Sequence, residues 1–192
     1  GAIVDMPDYS VIIGALDYWK TKDPMLHEPN LEKILNVKGF RQPYVSEDTD
    51  GYPQPDIPAF RFPAMHFCPG CDRLMPYWGF GDDDGKKCLS CGKNIVPSRF
   101  IAACINGHLE DFPYYWWVHE GDNSKCPSIH GNDLSIKFSD TSGGLDSIVI
   151  SCSACGKSRT MAGSMNRDAL RGYYCNKRRP WIGYRIEHND PN

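Results

Sequence analysis

Hydrophobic residues in this chain come in short runs, separated by turns that are rich in glycine, proline and acidic residues. The apolar run of residues 10–16 predicts a strand. Residues 134–138 alternate between apolar and polar positions and predict a second strand, and residues 147–151 predict the strand that returns after the Gly143-Gly144 turn. Elements this short indicate small antiparallel hairpins.

Two segments predict short helices. Residues 31–37 place their apolar side chains on one helical face, with Asn30 as the N-cap. Residues 114–118 include four consecutive aromatic residues and predict a helix capped by Asp111; we expect these rings in a core or an interface, because they bury large areas. A platform for stacking nucleic-acid bases is the alternative. The whole pattern predicts an α+β fold of short antiparallel hairpins and a few short helices.

Paired cysteines carry the strongest chemical signal. Two Cys-x-x-Cys motifs are separated by 16 residues, and each can deliver two thiolates from one tight turn to a tetrahedral Zn²⁺ ion. Because thiolates fill all four positions, the predicted site is closed and stabilises a zinc ribbon over residues 64–98. Its ligands are Cys68, Cys71, Cys88 and Cys91.

A third Cys-x-x-Cys motif predicts a second zinc ion and needs two further ligands. The favoured set takes one cysteine that precedes a proline and one in a basic, turn-rich stretch: Cys126, Cys152, Cys155 and Cys175. The alternative uses Cys104 and His108, a Cys-x-x-x-His pair that one helical turn would place on one face. On the favoured assignment Cys104 is a buried thiol.

Composition limits the compartment. Nine cysteines in 192 residues, mostly in Cys-x-x-Cys spacing, fit metal binding in a reducing compartment better than a secreted disulfide framework. An apolar run of about 18 residues, which a membrane span needs, is absent from the sequence. The chain starts at Gly1, so we expect it to be a segment of a longer protein or a short stand-alone relative.

Charge is uneven along the chain. Residues 156–185 hold eight basic residues and one acidic residue, a net charge of +7, which leaves −10 for the rest of a chain whose total is −3. This stretch predicts a surface for nucleic acid or for a protein partner. The alternative is that its arginines offset the negative charge of zinc thiolates and that its tryptophan fills a core. The candidate contacts are Lys177, Arg178, Arg179, Trp181 and Arg185.

Four segments follow from these observations. Residues 1–41 form an N-terminal strand and helix segment, and residues 42–63, with five prolines, form an extended connector. Residues 64–98 form the first zinc ribbon. Residues 99–192 form a second zinc-stabilised α+β module that ends in the basic stretch.

Seven motifs, in this order, resemble the N-terminal part of the DrmB family, the helicase-associated component of the DISARM bacterial antiphage system. The Asn-Gly-His-x-x-Asp-Phe and Arg-Arg-Pro-Trp segments are the most particular. The motifs lie at residues 1–5, 60–71, 97–100, 106–112, 117–119, 152–156 and 178–183.

The resemblance implies a cytoplasmic bacterial protein without catalytic chemistry of its own. It implies a SNF2-like helicase partner, in a system that encodes a DNA methyltransferase and restricts phage DNA. The chain has no GxxxxGK[ST] and no GxGxxG motif, so ATP hydrolysis would come from the partner.

Two other functional classes stay open from the sequence. One is a stand-alone zinc-ribbon protein that binds DNA, although the chain is acidic overall and has no clear basic recognition helix. The other is a metal-dependent hydrolase, which would use mixed histidine and carboxylate ligands and an open coordination position. Its candidate residues are His66, His108, Asp111 and His119; a hydrogen bond between His108 and Asp111 that fixes the Gly107 turn is the favoured role for that pair.

Overall fold

A computed structural model describes residues 1–47, 53–122, 124–128, 133–139 and 143–182. Over these residues the chain is mixed α and β, with short antiparallel strands and two short α-helices, which confirms the predicted fold class. The chain divides into two compact units. Unit 1 comprises residues 1–4, 11–61 and 179–192, and unit 2 comprises residues 5–10 and 62–178.

The described residues of unit 1 include one α-helix and most or all of each of five strands; Asp5 and Ser10, at the ends of the first two strands, are assigned to unit 2. A three-stranded sheet has the order β1-β2-β5, and a separate antiparallel hairpin joins β3 to β4. The elements are β1 (Ile3–Asp5), β2 (Ser10–Ile13), α1 (Pro29–Leu35), β3 (Tyr44–Glu47), β4 (Pro53–Asp56) and β5 (Ala59–Arg61).

The first helix starts earlier than the sequence predicts. Its N-cap is Glu28 and not Asn30, because Pro29 takes the first helical position. Proline is suited to that position, since its fixed φ is already helical and its missing N–H would have no partner there. The backbone N–H of Glu28 donates to the Glu32 carboxylate over 2.9 Å, which stabilises this end.

The proline-rich stretch from residue 42 to 63 contains strands β3, β4 and β5. Strand β4 carries two prolines, Pro53 and Pro55, which lie two positions apart and pair with Glu47 and Val45 of β3. The two strands form a hairpin without further strands among the described residues, so each is an edge strand. An edge strand accepts proline because every second backbone N–H points away from the partner strand. Residues 48–52 lie outside the described residues.

Unit 2 is organised around a six-stranded sheet with the order β13-β12-β11-β7-β6-β8, in which all neighbours are antiparallel. A second hairpin pairs β9 with β10, and helix α2 packs on β12 and β13. The elements are β6 (Met65–Phe67), β7 (Arg73–Pro76), β8 (Val96–Pro97), β9 (Ile101–Ala103), β10 (Leu109–Asp111), α2 (Tyr114–His119), β11 (Leu134–Phe138), β12 (Ile148–Cys152) and β13 (Ser158–Thr160).

The main core lies between α2 and the sheet. Tyr114 and Trp117 are each 1% exposed, which confirms the core assignment for two of the four consecutive aromatic residues. The Trp117 indole N–H donates to the carbonyl of Thr160 over 3.0 Å, and the Arg159 guanidinium lies 3.6 Å above the Trp117 ring. The other core members are Leu74, Phe112, Val118, Leu134, Ile136, Ile150, Cys152 and Met161.

Strand β11 confirms the prediction for residues 134–138, and β12 begins one residue later than predicted. Asp111 lies in β10, so the N-cap of α2 is Pro113 and the predicted cap at Asp111 is wrong. None of the helices in the described part of the chain is long and apolar enough to span a membrane.

Candidate metal centres

All nine cysteines of the chain lie in three clusters of candidate metal ligands, and none forms a disulfide. Within each cluster, all ligand atoms lie within 4.8 Å of one another. The first cluster is Cys68, Cys71, Cys88 and Cys91; the second is His119, Cys126, Cys152 and Cys155; the third is Cys104, His108 and Cys175.

The distances between ligand atoms test whether a metal fits. In a tetrahedron with Zn–S bonds of about 2.3 Å and Zn–N bonds of about 2.1 Å, neighbouring ligand atoms lie roughly 3.6–3.8 Å apart. The closest contacts in the three clusters run from 3.2 to 3.7 Å. These separations are far longer than a disulfide bond of about 2.05 Å and approach the edges of such a tetrahedron. Each cluster could therefore hold a metal ion.

Hairpin turns hold the thiols of the first cluster. Cys68 and Cys71 occupy the turn between β6 and β7, and the Cys68 sulfur lies 3.2 Å from that of Cys91. The Cys71 and Cys88 sulfurs lie 3.7 Å apart. Cys68 and Cys88 are fully buried, in a small core formed with Met75, Phe80 and Ile95.

The three Cys-x-x-Cys turns share one backbone conformation. The N–H of the residue after each second cysteine donates to the carbonyl of the first cysteine, over 2.8 Å from Asp72, 2.7 Å from Gly92 and 2.8 Å from Gly156. These three residues have φ values of 60°, 72° and 77°. Glycine adopts this left-handed conformation without strain, so Gly92 and Gly156 suit it.

Gly70 has a different reason to be glycine. A Cβ atom at this position would lie 3.0 Å from the Cys91 sulfur and 2.8 Å from the Lys93 Cγ atom. A larger residue here would therefore require the Lys93 side chain to move and would crowd the Cys91 sulfur.

Backbone N–H groups point at the thiols. The backbone N–H of Gly70 donates to the Cys68 sulfur over 3.4 Å, and that of Lys177 donates to the Cys175 sulfur over 3.3 Å. In both cases the donor lies two residues after the cysteine. Such N–H groups stabilise a thiolate, the form that binds a metal. Six other cysteines also have a backbone hydrogen bond from the residue two positions later: Cys71, Cys88, Cys91, Cys104, Cys126 and Cys152.

The second cluster combines a histidine with three thiols. His119 is the last residue of α2, is 1% exposed, and has its Nε2 atom 3.3 Å from the Cys155 sulfur. Its Nδ1 atom lies 2.7 Å from the carbonyl oxygen of Tyr115. A histidine that binds a metal commonly donates its other ring N–H to such a carbonyl, which fixes the tautomer and the ring orientation.

Two neighbouring thiols of the second cluster have pKa values that are shifted in opposite directions. The Tyr115 hydroxyl lowers the pKa of Cys126 to about 6, whereas burial raises the pKa of Cys152 to about 11. Their sulfurs lie 3.7 Å apart. The lowered pKa of Cys126 favours its thiolate, which is the form of cysteine that binds a metal ion.

The predicted ligand set for this cluster needs one correction. Cys126, Cys152 and Cys155 come together as expected, but the structure places His119, not Cys175, beside them. The physical reason is that α2 packs on β12 and β13, so its last residue reaches the turn that carries Cys152 and Cys155. A histidine seven residues before Cys126 was the available signal in the sequence.

Cys175 instead lies with the two residues of the alternative Cys-x-x-x-His pair. The His108 Nδ1 atom lies 3.3 Å from the Cys104 sulfur and 3.5 Å from the Cys175 sulfur. Cys104 is half-buried within this cluster, so its assignment as a lone buried thiol is wrong. Among the described residues, Cys104 and His108 belong to a different metal-ligand group from Cys152 and Cys155, so the alternative ligand set for the second site does not come together either.

The four candidate hydrolase residues do not come together in any metal-ligand group of the described residues. His66 is fully buried, with Nδ1 3.0 Å from the Ala64 carbonyl oxygen. The Asp111 carboxylate accepts the N–H of Met65 over 2.7 Å, and burial raises its pKa. His108 faces thiols, so the predicted His108–Asp111 pairing is replaced by these other contacts.

The residues of the basic stretch differ in their surroundings. Lys177 and Arg178 are exposed in unit 2, and the Arg178 carbonyl accepts the N–H of Leu109 over 2.9 Å. Arg179 and Trp181 are assigned to unit 1, where Trp181 is half-buried and its carbonyl accepts a backbone N–H. Arg185 lies outside the described residues.

With the clusters established, comparison with known proteins places the chain. The model of a family described as a domain of unknown function (DUF8724) matches residues 1–191. The chain belongs to this family. It is also similar to the DISARM protein DrmB of Bacillus paralicheniformis, with 28% identity over 185 residues. That alignment covers 92% of this chain and 31% of the relative, so the chain spans about a third of the relative's length.

Proposed function

We propose that this protein is a non-catalytic, zinc-binding component of a bacterial antiphage defence complex. The observation that carries the proposal is the similarity to a DISARM protein along nearly the whole chain. On this proposal the protein works in the cytoplasm beside a SNF2-like helicase subunit, which supplies ATP hydrolysis while the complex recognises or processes phage DNA.

The zinc assignment rests on ligand chemistry. Thiolates and imidazoles in groups of four suit Zn²⁺, and sets of four cysteines, or of three cysteines and one histidine, are typical of closed structural sites. The first cluster supplies four thiols from two turns, the arrangement of a zinc ribbon, and the second supplies three thiols and one imidazole. Two zinc ions would thus be held without an open coordination position.

A scaffold role fits the surroundings of these residues better than hydrolysis does. A catalytic zinc keeps a position for water. Both four-ligand clusters fill that position with protein atoms, and Asp111 is engaged with the backbone N–H of Met65. The first ion would hold together turns whose own apolar core has only five buried members, and the second would join α2 to the turn after β12.

The partner proposal has a direct experiment. We expect a tagged copy of the full-length protein, expressed with its neighbouring genes, to retain a helicase through purification. A variant with the first and second clusters disrupted should lose it, because the surface that binds the partner would unfold. Recovery of the protein alone from the intact operon would contradict the proposed partnership.

Contact with DNA is proposed for the exposed part of the basic stretch. Lys177 and Arg178 offer cationic groups that can bind phosphate oxygens. Arg178 also lines a cavity of about 440 Å³ together with Trp78, Trp116 and Tyr173. Trp78 is 55% exposed, so an unpaired base could stack on it.

Charge reversal tests this contact. We expect Lys177→Glu combined with Arg178→Glu to weaken DNA binding by the assembled complex and to reduce the slope of log affinity against log salt by about 2, roughly one for each lost phosphate contact. Filter binding or fluorescence anisotropy across a salt series measures both quantities. Arg167→Glu, also on an exposed residue of unit 2, is the matched control. Unchanged affinity with a dissociated complex would instead identify a protein interface.

A further inference from the structure

The third cluster points to a metal site beyond the two four-ligand sites. We propose that Cys104, His108 and Cys175 bind a third zinc ion. Among the described residues this group has no fourth ligand, so the proposal leaves the fourth coordination position to water. The three ligand atoms come from two distant parts of the chain and lie within 4.8 Å of one another. The three clusters together include every cysteine of the chain, which argues against the ligand atoms of the third cluster lying together by chance.

A tight turn prepares two of the ligands. The N–H of Cys104 donates to the carbonyl of His108 over 3.1 Å, and the N–H of Gly107 donates to the carbonyl of Cys104 over 3.0 Å. Gly107 has a φ of 77°, a conformation that glycine adopts without strain. The turn directs the thiol and the imidazole to the same point.

A buried carboxylate positions the third ligand. Glu110, on β10 and 8% exposed, accepts hydrogen bonds from the Asn176 side-chain amide over 2.6 Å and from the Tyr173 hydroxyl over 3.2 Å. Because Tyr173 and Asn176 flank Cys175 in the sequence, these contacts hold the segment around Cys175 against β10, the strand that follows His108. Ligands fixed in this way before the metal arrives lose little conformational entropy when they bind it.

The site differs from the other two in charge and access. Two thiolates and a neutral imidazole around Zn²⁺ give a net charge of zero, whereas four thiolates give −2. Cys175 is exposed, so solvent reaches this cluster through at least one of its ligands. A zinc ion with three protein ligands and a water should be released more readily than one with four protein ligands.

Zinc stoichiometry tests the proposal. After dialysis against buffered zinc, we expect native mass spectrometry of the purified protein to find three equivalents. Cys175→Ser and His108→Gln should each bind two, and the control Tyr174→Ser, at an exposed neighbour of Cys175, should bind three. A wild-type protein with two equivalents, or a Cys175→Ser variant with three, would overturn the site.

A chelator titration of the wild-type protein gives a readout that does not depend on a variant folding. We expect one equivalent to leave at a chelator concentration at least tenfold below that needed for the others, with the near-ultraviolet circular dichroism unchanged. Release of all the zinc in one step, together with loss of that signal, would exclude an open third site.

Discussion

Cys68→Ser should remove one equivalent of zinc and unfold residues 64–98. The free energy of binding at a structural zinc site is on the order of 10 kcal/mol and is available only to the folded ligand set. That is comparable to the whole stability of a typical domain. The apolar core beside the first cluster has five buried members, two of which are the ligands Cys68 and Cys88, so it cannot compensate for the lost ion.

Native mass spectrometry and thermal unfolding measure this effect together. The matched control is Leu89→Ser, which changes a 67% exposed residue between Cys88 and Cys91 without altering a ligand. We expect the control to keep its zinc and its melting temperature. Retention of full zinc content by Cys68→Ser would show that the first cluster does not bind the ion through this thiol.

His119→Ala should remove the second equivalent of zinc and loosen the packing of α2 on the sheet. The imidazole is buried and held by the Tyr115 carbonyl, so its loss leaves three thiols with an unfilled position inside the protein. A bound ion would tie α2 to the turn after β12, next to the main core. We therefore expect a large fall in the melting temperature along with the loss of metal.

Two variants complete this test. His27→Ala changes an exposed histidine in unit 1 and should leave zinc binding intact. Cys175→Ser should keep both the second-cluster zinc and the melting transition of the main core, because Cys175 lies with His108 and not with His119. If His119→Ala keeps this ion while Cys175→Ser loses it, the ligand set predicted from the sequence alone is the correct one.

Local features were the ones that the sequence predicted well. The four cysteines of the first cluster belong to two motifs whose spacing predicts that they lie together, and the alternating pattern of residues 134–138 predicts strand β11. Both signals depend on residues that are close in sequence. Helix starts were less accurate, because Pro29 and Pro113 displaced the polar residues expected as caps.

The fourth ligand of the second cluster depended on tertiary structure. His119 lies seven residues before Cys126, but this spacing alone did not decide between His119 and Cys175, because both are far in sequence from the Cys152 turn. The packing of α2 on the sheet decides which of them is close. The aromatic residues before His119 predicted a buried helix, but the sequence did not indicate that its last residue faces the metal ligands.

The two four-ligand metal ions proposed for this protein are structural, and taken together the three clusters offer nine sulfur ligands and two imidazoles. X-ray absorption at the zinc K edge of the purified protein measures the atoms bound to zinc directly. We expect a shell dominated by sulfur at about 2.3 Å with a minor contribution from nitrogen. A shell dominated by oxygen and nitrogen at about 2.0–2.2 Å would contradict this proposal and would favour a metal-dependent hydrolase.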